Sequence, residues 1–502
     1  MSLPLNQLLL DDCPPPIAHL SRPSYDRRRL SVGIVHFGVG GFFRAHQAMY
    51  LDRLMNAGQA ADWAICGVGA LPHDRRIVEV LTAQDGLYTL VLKHPDGRLE
   101  PRVIGSLVQL MFAPDDPTAV IERMADPGVR IVSLTITEGG YLVDQVTGEF
   151  RADDPDVVAD LAEGAVPRTV FGMITAALGL RRERGIPSFT VQSCDNLPGN
   201  GDVTRAMLGA YARLKDPELA AWIEANVAFP NAMVDRITPV TADSDRELVS
   251  ELGIEDAWPV VCEPFEQWVI EDHFPAGRPP WEEAGAQLVS DVVPYELMKL
   301  RLLNCSHQAL CYVGFLSGYR YAHEVCTDPL FVAFLLRYMA REGTPTLPAV
   351  PGMDLDRYRH QLIERFANPA VRDTLARLCA ESSDRIPKWL VPVIKHNLAS
   401  GGDIECSALT VAGWARYAEG VDEQGNPIDV VDRAKARVMA QAAEQVRPGA
   451  DPLAFLRMPD FFGDLVDDQR FVTSYRRWLD ALHTTGARAT VTACLGDSDT
   501  QP

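Results

Sequence analysis

The sequence lacks the features that would indicate a metal-binding, secreted or membrane-spanning protein. Its ten cysteines are scattered from Cys13 to Cys494 without any CxxC pair, so neither a zinc site nor a disulfide framework is indicated. No apolar run approaches the roughly 20 residues of a membrane-spanning helix. The opening MSLPLNQLLLDDCPPP has neither a basic n-region nor a long apolar core, so we expect no secretory signal. These absences predict a cytoplasmic protein with reduced thiols and no bound metal.

Positive charge is also scarce. The chain has 47 Lys and Arg against 68 Asp and Glu, a formal net charge of -21. This excess of negative charge argues against nucleic acid or an anionic membrane as a partner. The 502 residues suffice for at least two domains with separate cores, and a composition of 47% hydrophobic and 23% charged residues is ordinary for a globular protein.

The first half of the chain alternates strand and helix signals. Four β-branched runs are the candidate strands, namely SVGIVHFGVGG, WAICGVG, RIVSLTITEGG and PSFTVQSCDN, and the helical stretches between them include RTVFGMITAALGLRRERG. This alternation predicts βαβ units and a mostly parallel sheet. The pattern fades at a Pro- and Gly-rich stretch over 272–285, beyond which nearly all signals are helical. We therefore predict a doubly wound, Rossmann-type α/β domain over 1–286 and a mainly helical domain over 287–502.

A glycine-rich turn follows the first predicted strand in HFGVGGFFRAHQ. Glycines at this position let the backbone approach a pyrophosphate at the carboxyl end of a parallel sheet. The match to G-x-G-x-x-G is incomplete because Phe43 occupies the third glycine position, and a plain tight turn is the alternative. The predicted cofactor-binding residues of this turn are Gly38, Gly40, Gly41, Phe42 and Arg44.

An acid that reads the ribose hydroxyls is expected some 20 residues after such glycines. Asp74 lies well beyond that spacing, just past the second predicted strand, where its charge would repel the 2′-phosphate of NADP. A surface loop acid is the alternative, and the neighbouring His73, Arg75 and Arg76 could instead accept that phosphate. The sequence favours NAD over NADP.

A polar stripe lies on the otherwise apolar helix that begins near Pro294. At about 100° per residue, Glu296, Lys299, Asn304 and His307 share an arc of about 140°. A solvated surface stripe is the alternative, but leucines are interspersed among these residues. A lysine held among apolar groups tends towards a lowered pKa, which suits a general base. The stripe is therefore a candidate active site.

Several long motifs resemble the polyol-specific long-chain dehydrogenases, and most of all their mannitol-oxidising branch. They are the glycine turn with RAHQ, then SLTITEGGY, SCDNLPGNG, FPNAMVDRITP, CEPFEQWVIED and MKLRLLNCSHQAL, which follow one another over nearly the whole chain. The resemblance implies a Rossmann-type N-terminal domain, a helical C-terminal domain, an active site in the cleft between them, NAD as cofactor and no metal.

The resemblance also assigns roles to individual residues. It implies that Lys299 is the general base, that Asn304 and His307 hold the reacting oxygen, and that Glu296 gates proton exchange with solvent.

Four further positions match residues that contact the substrate or the base. They are Asn196, Asp235, Arg377 and Arg385, the last at a position where close relatives usually have lysine.

The implied reaction is the reversible oxidation of a polyol at C2 to a ketose, D-mannitol to D-fructose. Alternatives within the family are reduction of the ketouronates fructuronate or tagaturonate, and D-arabinitol or D-sorbitol as the main substrate. The expected partner is this small molecule alone, with the protein a monomer or weak oligomer.

Two other interpretations stay open from the residues. YELMK (295–299) fits the Y-x-x-x-K pair of short-chain dehydrogenases, although neither their G-x-x-x-G-x-G loop nor their shorter chain is present. A nucleotide-binding sensor without activity is the interpretation from another class, and the intact set of Lys299, Asn304 and His307 argues against it.

Overall fold

The computed structural model describes residues 3–11, 20–144 and 147–496. Cys13, the start of the first predicted domain (1–2) and the end of the second (497–502) therefore lie outside the described residues. The chain divides into two compact units, Met1–Val292 and Val293–Pro502. The boundary predicted from the sequence, between 286 and 287, lies six residues before the observed division after Val292. The strand Gln287–Val289 lies between these two points and pairs in parallel with Gln267–Glu271 of the first unit. This pairing, which the Pro- and Gly-rich stretch conceals, keeps the strand in the first unit.

The first unit is built around a parallel sheet with two smaller mixed sheets beside it. Its strands are β1 (Leu3–Pro4), β2 (Val32–Phe37), β3 (Ala64–Gly69), β4 (Tyr88–Lys93), β5 (Leu99–Ile104), β6 (Leu107–Phe112), β7 (Ile131–Leu134), β8 (Thr190–Ser193), β9 (Ala232–Asp235), β10 (Ile254–Glu255), β11 (Val260–Cys262), β12 (Gln267–Glu271) and β13 (Gln287–Val289). The main sheet has the order β6-β3-β2-β7-β8 and is parallel throughout. The other sheets are β11-β4-β5, β13-β12-β9 and the pair β1-β10. The four strands predicted from sequence are β2, β3, β7 and β8.

Helices cover both faces of the main sheet. They are α1 (Gln7–Asp11), α2 (Gly41–Ala45), α3 (Gln47–Asn56), α4 (Arg75–Ala83), α5 (Pro117–Ala125), α6 (Thr137–Gly140), α7 (Pro155–Leu161), α8 (Val170–Arg184), α9 (Asn200–Lys215), α10 (Pro217–Asn226) and α11 (Asp243–Glu251). Successive side chains of β2 enter different cores: Ile34 packs in the cluster that holds Met49 of α3, and Val35 packs in the one that holds Ile174 of α8. Because neighbouring residues of a strand point to opposite faces, this alternation identifies a doubly wound sheet. The predicted α/β class is confirmed.

The second unit is helical throughout its described residues, apart from isolated bridges. Its helices are α12 (Val293–Met298), α13 (Cys305–Leu316), α14 (Ala322–Cys326), α15 (Pro329–Tyr338), α16 (Leu355–Phe366), α17 (Leu375–Cys379), α18 (Ser382–Ser400), α19 (Glu405–Ala418), α20 (Lys435–Gln445), α21 (Pro459–Phe462), α22 (Gln469–Thr484) and α23 (Ala487–Leu495). The central pair, α13 and α19, is buried on nearly every side. Within the described ranges, no helix combines the length and the apolar character needed to cross a membrane.

Two segments of this unit are π-helical, Lys299–Asn304 and Met339–Gly343. We call them the first and the second π turn. The first one interrupts the helix that the sequence predicts as regular from Pro294 onward, because it separates α12 from α13. The prediction of a single α-helix is therefore wrong at this point, and the polar stripe must be rebuilt on the observed geometry.

Candidate active site

The glycine turn lies at the carboxyl end of β2, where the chain leaves the main sheet. Gly38 has a φ of 93°, and a Cβ there would lie 2.0 Å from the carbonyl oxygen of Thr135. Only glycine fits so close to that backbone. The Thr135 hydroxyl in turn donates to the carbonyl oxygen of Gly38 at 2.9 Å. The turn is thus fixed against the end of β7.

The space beside the turn is open. Among the described residues, no atom lies within 4 Å of the position that a Cβ at Gly40 would take, and the nearest atom at Gly41 is Thr238 Cγ2 at 3.6 Å. Since β2 lies between β3 and β7, the connections after β2 and β7 diverge here and leave a crevice at the sheet edge. A phosphate group could approach this backbone closely.

Arg44 does not face that space. It is 1% exposed and donates to two backbone carbonyl oxygens, Val39 at 3.2 Å and Trp258 at 2.6 Å. The hydroxyl of Tyr88 donates to the carbonyl oxygen of Arg44, and burial lowers the pKa of the guanidinium to about 10. These contacts favour a structural role for Arg44, fixing the backbone after the glycine turn. Phe42, the other non-glycine residue of the predicted set, stacks on His46 with ring centroids 4.9 Å apart.

Asp74 follows the carboxyl end of β3, at the edge of the sheet where the sequence places a ribose-reading acid. Its Oδ2 accepts from the backbone N–H groups of Ala70 at 3.0 Å and Leu71 at 2.9 Å. The carboxylate therefore also caps the turn after β3. The adjoining Arg75 binds Asp115 through two hydrogen bonds of 2.9 and 2.6 Å, so this guanidinium is already paired.

The loops after β7 and β8 meet at Asp195, a residue that the sequence did not indicate. Its carboxylate accepts from the N–H groups of Ile136 at 2.9 Å and Thr137 at 3.0 Å, and from the hydroxyl of Tyr141 at 2.7 Å. The predicted Asn196 is the next residue and is exposed. The sequence held no signal for these contacts, because Ile136 and Thr137 lie 59 and 58 residues from Asp195 in the chain.

Asp235 ends β9 and is 5% exposed. The residue after it, Arg236, has a fully buried side chain that donates to Ala45 O at 2.7 Å and Glu263 O at 3.1 Å. Since Ala45 ends the helix after the glycine turn, Arg236 links that helix to the strand that carries Asp235.

In the second unit, the first π turn carries two of the predicted site residues at its ends. Lys299 is 8% exposed and Asn304 is 5% exposed. The N–H of Cys305 donates to the carbonyl oxygen of Leu300, five residues back, instead of that of Arg301. In an α-helix, positions i and i+5 point about 140° apart. A π-helical turn, closed by a hydrogen bond five residues back, contains more residues than an α-helical turn, so the rotation per residue about the helix axis is smaller. The side chains of Lys299 and Asn304 therefore point more nearly to the same side of the helix.

Glu296 and Tyr295 lie in α12, one turn before Lys299. Glu296 is 8% exposed. The hydroxyl of Tyr295 donates to the carbonyl oxygen of Pro351 at 2.8 Å. With its hydroxyl bound to backbone, Tyr295 has the contacts of a structural tyrosine, and the Y-x-x-x-K interpretation gains no support.

His307 lies in α13, next to the first π turn. Its ring packs on Phe366 with centroids 4.4 Å apart. Burial foremost, and then the positive charges of Arg377, Arg365 and Arg385, lower the pKa of His307 to about 3 against the opposing effect of Asp373. Among the described residues, its Nε2 is buried without a hydrogen-bond partner. The imidazole is therefore neutral at physiological pH and retains hydrogen-bonding capacity.

The two predicted substrate arginines are already engaged within this unit. Arg377 donates from Nε and Nη2 to the two carboxylate oxygens of Asp373, at 2.7 and 2.6 Å. Arg385 donates from Nη1 to the carbonyl oxygens of Leu378 at 2.9 Å and Arg377 at 3.3 Å. Asp373, which the sequence did not indicate, thus neutralises the more exposed of the two guanidinium groups.

No group of three or more His, Cys, Asp or Glu with metal-binding geometry occurs in the part of the chain that the structure describes. The two histidines near the glycine turn have other contacts. His36 bonds the hydroxyls of Ser133 at 2.7 Å and Thr135 at 2.9 Å, and burial lowers its pKa to about 3. His46 Nε2 lies 3.1 Å from the carbonyl oxygen of Gln267. Both side chains are fully buried.

Three side chains of the second unit are suited to proton transfer and to stabilising a charged oxygen. A buried lysine, a buried amide and a neutral imidazole lie on consecutive segments of one helix. A lysine in such a place can accept a proton. The amide and the imidazole can donate hydrogen bonds to an oxygen that gains negative charge, which is the electrostatic stabilisation that acyl and carbonyl chemistry requires.

Family models cover most of the chain. The model of the mannitol dehydrogenase Rossmann domain matches residues 32–283, and that of the mannitol dehydrogenase C-terminal domain matches residues 291–483.

Relatives match over nearly the same extent. Mannitol 2-dehydrogenase of Phaeosphaeria nodorum is 45% identical over 480 residues, which covers 95% of this chain and 83% of the relative. Mannitol 2-dehydrogenase of Aspergillus fumigatus is 47% identical over 458 residues, which covers 90% of each chain.

Two solved structures have the same fold throughout. The ternary complex of Pseudomonas fluorescens mannitol 2-dehydrogenase with NAD and D-mannitol has a TM-score of 0.87 and 46% identity, and the match covers 99% of this chain and 100% of that one. D-sorbitol dehydrogenase in substrate-free form has a TM-score of 0.90 and 37% identity, over 97% of this chain and 100% of that one.

Proposed function

The chain belongs to the mannitol dehydrogenase family, and from this premise we propose that it oxidises a neutral polyol at C2 to a ketose with NAD, without a metal. D-mannitol and D-fructose are the expected pair, because the relatives that match include mannitol 2-dehydrogenases, one of them in a complex with NAD and D-mannitol. The observation that carries the proposal is the first π turn, which holds Lys299 and Asn304 buried on adjoining sides of one helix.

Lys299 is the general base in this proposal. In its neutral form the amine takes the proton of the C2 hydroxyl, and a positioned base of this kind contributes about two to four powers of ten in rate. Glu296, one helical turn before it, relays that proton to solvent.

Asn304 and His307 stabilise the oxygen that loses its proton. The amide of Asn304 donates one hydrogen bond, and the imidazole of His307 donates a second. The lowered pKa of His307, caused chiefly by burial, keeps the ring neutral. A neutral imidazole donates a hydrogen bond to the reacting oxygen but does not protonate it. The proton of the hydroxyl is therefore accepted by Lys299. Both donors are held in place before the charge develops, which is where such bonds contribute most.

The first unit has the features that a dinucleotide requires. The open space beside Gly40 and Gly41 and the close packing of Gly38 fit a pyrophosphate on the backbone of the turn. Asp74 would accept from the ribose hydroxyls, and the pairing of Arg75 with Asp115 leaves one arginine fewer for the 2′-phosphate of NADP. NAD, when bound, accepts the hydride from C2.

Asn196 and Asp235 contact the substrate hydroxyls or the base in this proposal, and Arg377 and Arg385 contact substrate hydroxyls. The pairing of Arg377 with Asp373 supports a neutral substrate, because one carboxylate already binds one edge of the guanidinium and compensates its charge.

A ketouronate reductase is the second candidate. It is favoured by the positive charge of three arginines, Arg365, Arg377 and Arg385, around His307. Asp373 compensates one of these charges, which is why we place the neutral polyol first.

A substrate screen tests the proposal. D-mannitol, D-arabinitol, D-sorbitol and the two ketouronates are assayed with NAD and with NADP, and the reduced cofactor is followed by its absorbance. We expect the highest catalytic efficiency with D-mannitol and NAD, and with D-fructose in reverse. A higher efficiency for fructuronate or tagaturonate than for D-fructose would transfer the assignment to the uronate branch. No turnover of any compound would leave the sensor interpretation.

We also propose that the protein is cytoplasmic and that it is a monomer or a weak oligomer. Fractionation of the native source tests the first, and light scattering of the purified protein tests the second.

A further inference from the structure

The first π turn leaves one backbone carbonyl without its usual helical partner. In an α-helix the N–H of Cys305 would donate to the carbonyl oxygen of Arg301, four residues back. Here that N–H donates to Leu300 instead. The hydroxyl of Tyr338, from the end of α15, donates to the carbonyl oxygen of Arg301 at 2.9 Å. A side chain thus takes the place that a backbone donor would occupy in the regular helix.

The donor of this bond is buried. Tyr338 is 0% exposed, so its hydroxyl cannot exchange this partner for bulk water. Leaving a buried polar group unpaired costs about 1–3 kcal/mol. If the segment returned to α-helical bonding, Cys305 would compete with Tyr338 for the same oxygen. The Tyr338 hydroxyl therefore favours bonding five residues back over bonding four residues back.

The second π turn, which follows Tyr338 directly, and the segment Thr344–Thr346 after it contact the same residue and its neighbour. A Cβ at Gly343 would lie 2.8 Å from Leu302 Cδ2 and 3.1 Å from the carbonyl oxygen of Arg301, so the close approach of the two π turns depends on glycine. The guanidinium of Arg301 donates to the carbonyl oxygen of Thr346. Arg301 is therefore held by its carbonyl, its side chain and the packing of its neighbour.

We propose that Tyr338 is a positioning residue, whose hydroxyl selects the π-helical bonding of residues 299–304 and so brings Lys299 and Asn304 towards one side of the helix. The inference rests on the proposed function, in which Lys299 is the base and Asn304 a donor to the same oxygen. In the α-helical alternative these two side chains point about 140° apart. They then reach one hydroxyl group less directly than on the π turn.

Loss of the hydroxyl should affect turnover more than binding. Tyr338→Phe keeps the ring and its packing but removes the donor. A displacement of about 1 Å at a reacting group costs on the order of a hundredfold in rate, so we expect kcat to fall by about 10- to 100-fold with little change in the KM for the polyol. Cofactor binding should be unchanged.

Tyr475→Phe is the matched control. Tyr475 is also a 0% exposed tyrosine of the second unit, and its hydroxyl donates to Gln445 Oε1 at 2.8 Å, a side chain outside both π turns. Each variant removes one buried hydroxyl with one hydrogen bond. Both should lose a similar amount of stability in urea, but only Tyr338→Phe should lose kcat. Equal activity of the two variants would overturn the proposal.

A structural readout separates this proposal from the proposed function. Crystal structures of the wild type and of Tyr338→Phe show whether the N–H of Cys305 still bonds Leu300 or has moved to Arg301, whatever compound the enzyme turns over. If the wild type oxidises no polyol, the proposed function fails, and the bonding in the variant still decides whether Tyr338 selects the π turn. An unchanged π turn with full kcat would refute the role of Tyr338.

Gly343→Ala is a second variant that acts on the same turn from the opposite side. Its methyl group would press on Leu302 and on the carbonyl oxygen of Arg301. We expect kcat to fall again with the KM for the polyol retained. A stable Gly343→Ala variant with wild-type kcat would contradict the dependence of the site on this contact.

Discussion

Arg377 and Asp373 form a two-bond ion pair, with Nε and Nη2 of the arginine 2.7 and 2.6 Å from the two carboxylate oxygens. The arginine side chain is 59% exposed and the aspartate side chain only 9%. The aspartate is thus the buried partner of the pair, and the arginine is the solvent-exposed partner. A guanidinium held in this way retains N–H groups for hydroxyls, while its positive charge is already compensated by one carboxylate.

Asp373→Asn should shift the substrate preference towards ketouronates. The amide removes the charge that neutralises Arg377, so the guanidinium becomes available to a substrate carboxylate. We expect the catalytic efficiency for fructuronate or tagaturonate relative to D-fructose to rise by at least about tenfold, the value of one charge-assisted hydrogen bond. Asp460→Asn is the control, because Asp460 forms the same kind of pair with Arg437 elsewhere in the second unit. An unchanged ratio in Asp373→Asn would remove this pair from the account of specificity.

Lys299→Ala should abolish polyol oxidation while NAD still binds. Loss of the general base removes about two to four powers of ten in kcat, and fluorescence titration with NADH measures the retained binding. Lys395→Ala is the control, because Lys395 is a half-exposed lysine of the same unit that pairs with Asp464 at 2.6 Å.

Oxidation by the wild type should also rise with pH as the base loses its proton. Lys299→Ala with more than a tenth of wild-type kcat, or a wild-type rate independent of pH from about 6 to 10, would assign the proton transfer to another group.

The sequence predicts the first unit better than the site in the second. The strands β2, β3, β7 and β8 are recognisable because each is a short β-branched run closed by glycine or a polar turn, and such runs in a βαβ order form a parallel sheet. The π turn is not recognisable in this way. Whether Cys305 bonds four or five residues back depends on Tyr338, 37 residues from Arg301 in the chain. Helical periodicity contains no information on such a contact.

Arg44 and Asp373 illustrate the same limit in opposite directions. Arg44 follows the glycine turn at a spacing typical of a phosphate ligand, but its side chain is directed into the core towards Trp258. Asp373 looks like a surface acid in the sequence, yet it pairs with Arg377. The spacing of residues predicts which turn they occupy, whereas the direction of a side chain is decided by packing against distant segments.

Asp74→Asn should improve the use of NADP. The substitution removes the negative charge next to the 2′-position but retains an oxygen that accepts from the N–H groups of Ala70 and Leu71. It is therefore a sharper test than alanine, which would also loosen the turn. We expect the ratio of catalytic efficiencies, NADP over NAD, to rise by about tenfold or more, as for the loss of one like-charge contact of about 1.4 kcal/mol. Asp115→Asn, which releases Arg75 without changing Asp74, measures what the neighbouring arginine contributes. A constant ratio in Asp74→Asn would mean that another residue reads the ribose.

Activity should survive EDTA and dialysis. No cluster of metal-binding side chains occurs in residues 3–11, 20–144 and 147–496, and the proposed proton transfer uses the side chains of Lys299 and Glu296. The measurement is kcat before and after chelation, with the metal content of the protein determined in parallel. Loss of turnover on chelation that is restored by added zinc would contradict the mechanism.

His307 should make the folded protein sensitive to acid in a defined range of pH. Its folded-state pKa is lowered to about 3 by burial and by the neighbouring arginines, whereas the unfolded chain titrates at about 6.5. Above 6.5 both states are neutral and the full stability is present. As the pH falls below 6.5, the unfolded state binds a proton that the folded state does not, so stability decreases until the pH approaches the folded pKa. At pH 5 the expected loss from this residue is about 2 kcal/mol.

In His307→Asn this contribution is absent, so the free energy of unfolding in urea should decrease less between pH 7.5 and pH 5 than in the wild type, by about that amount. The same slope in wild type and His307→Asn would mean that the imidazole has the same pKa in the folded and the unfolded state, and would refute the lowered pKa of His307.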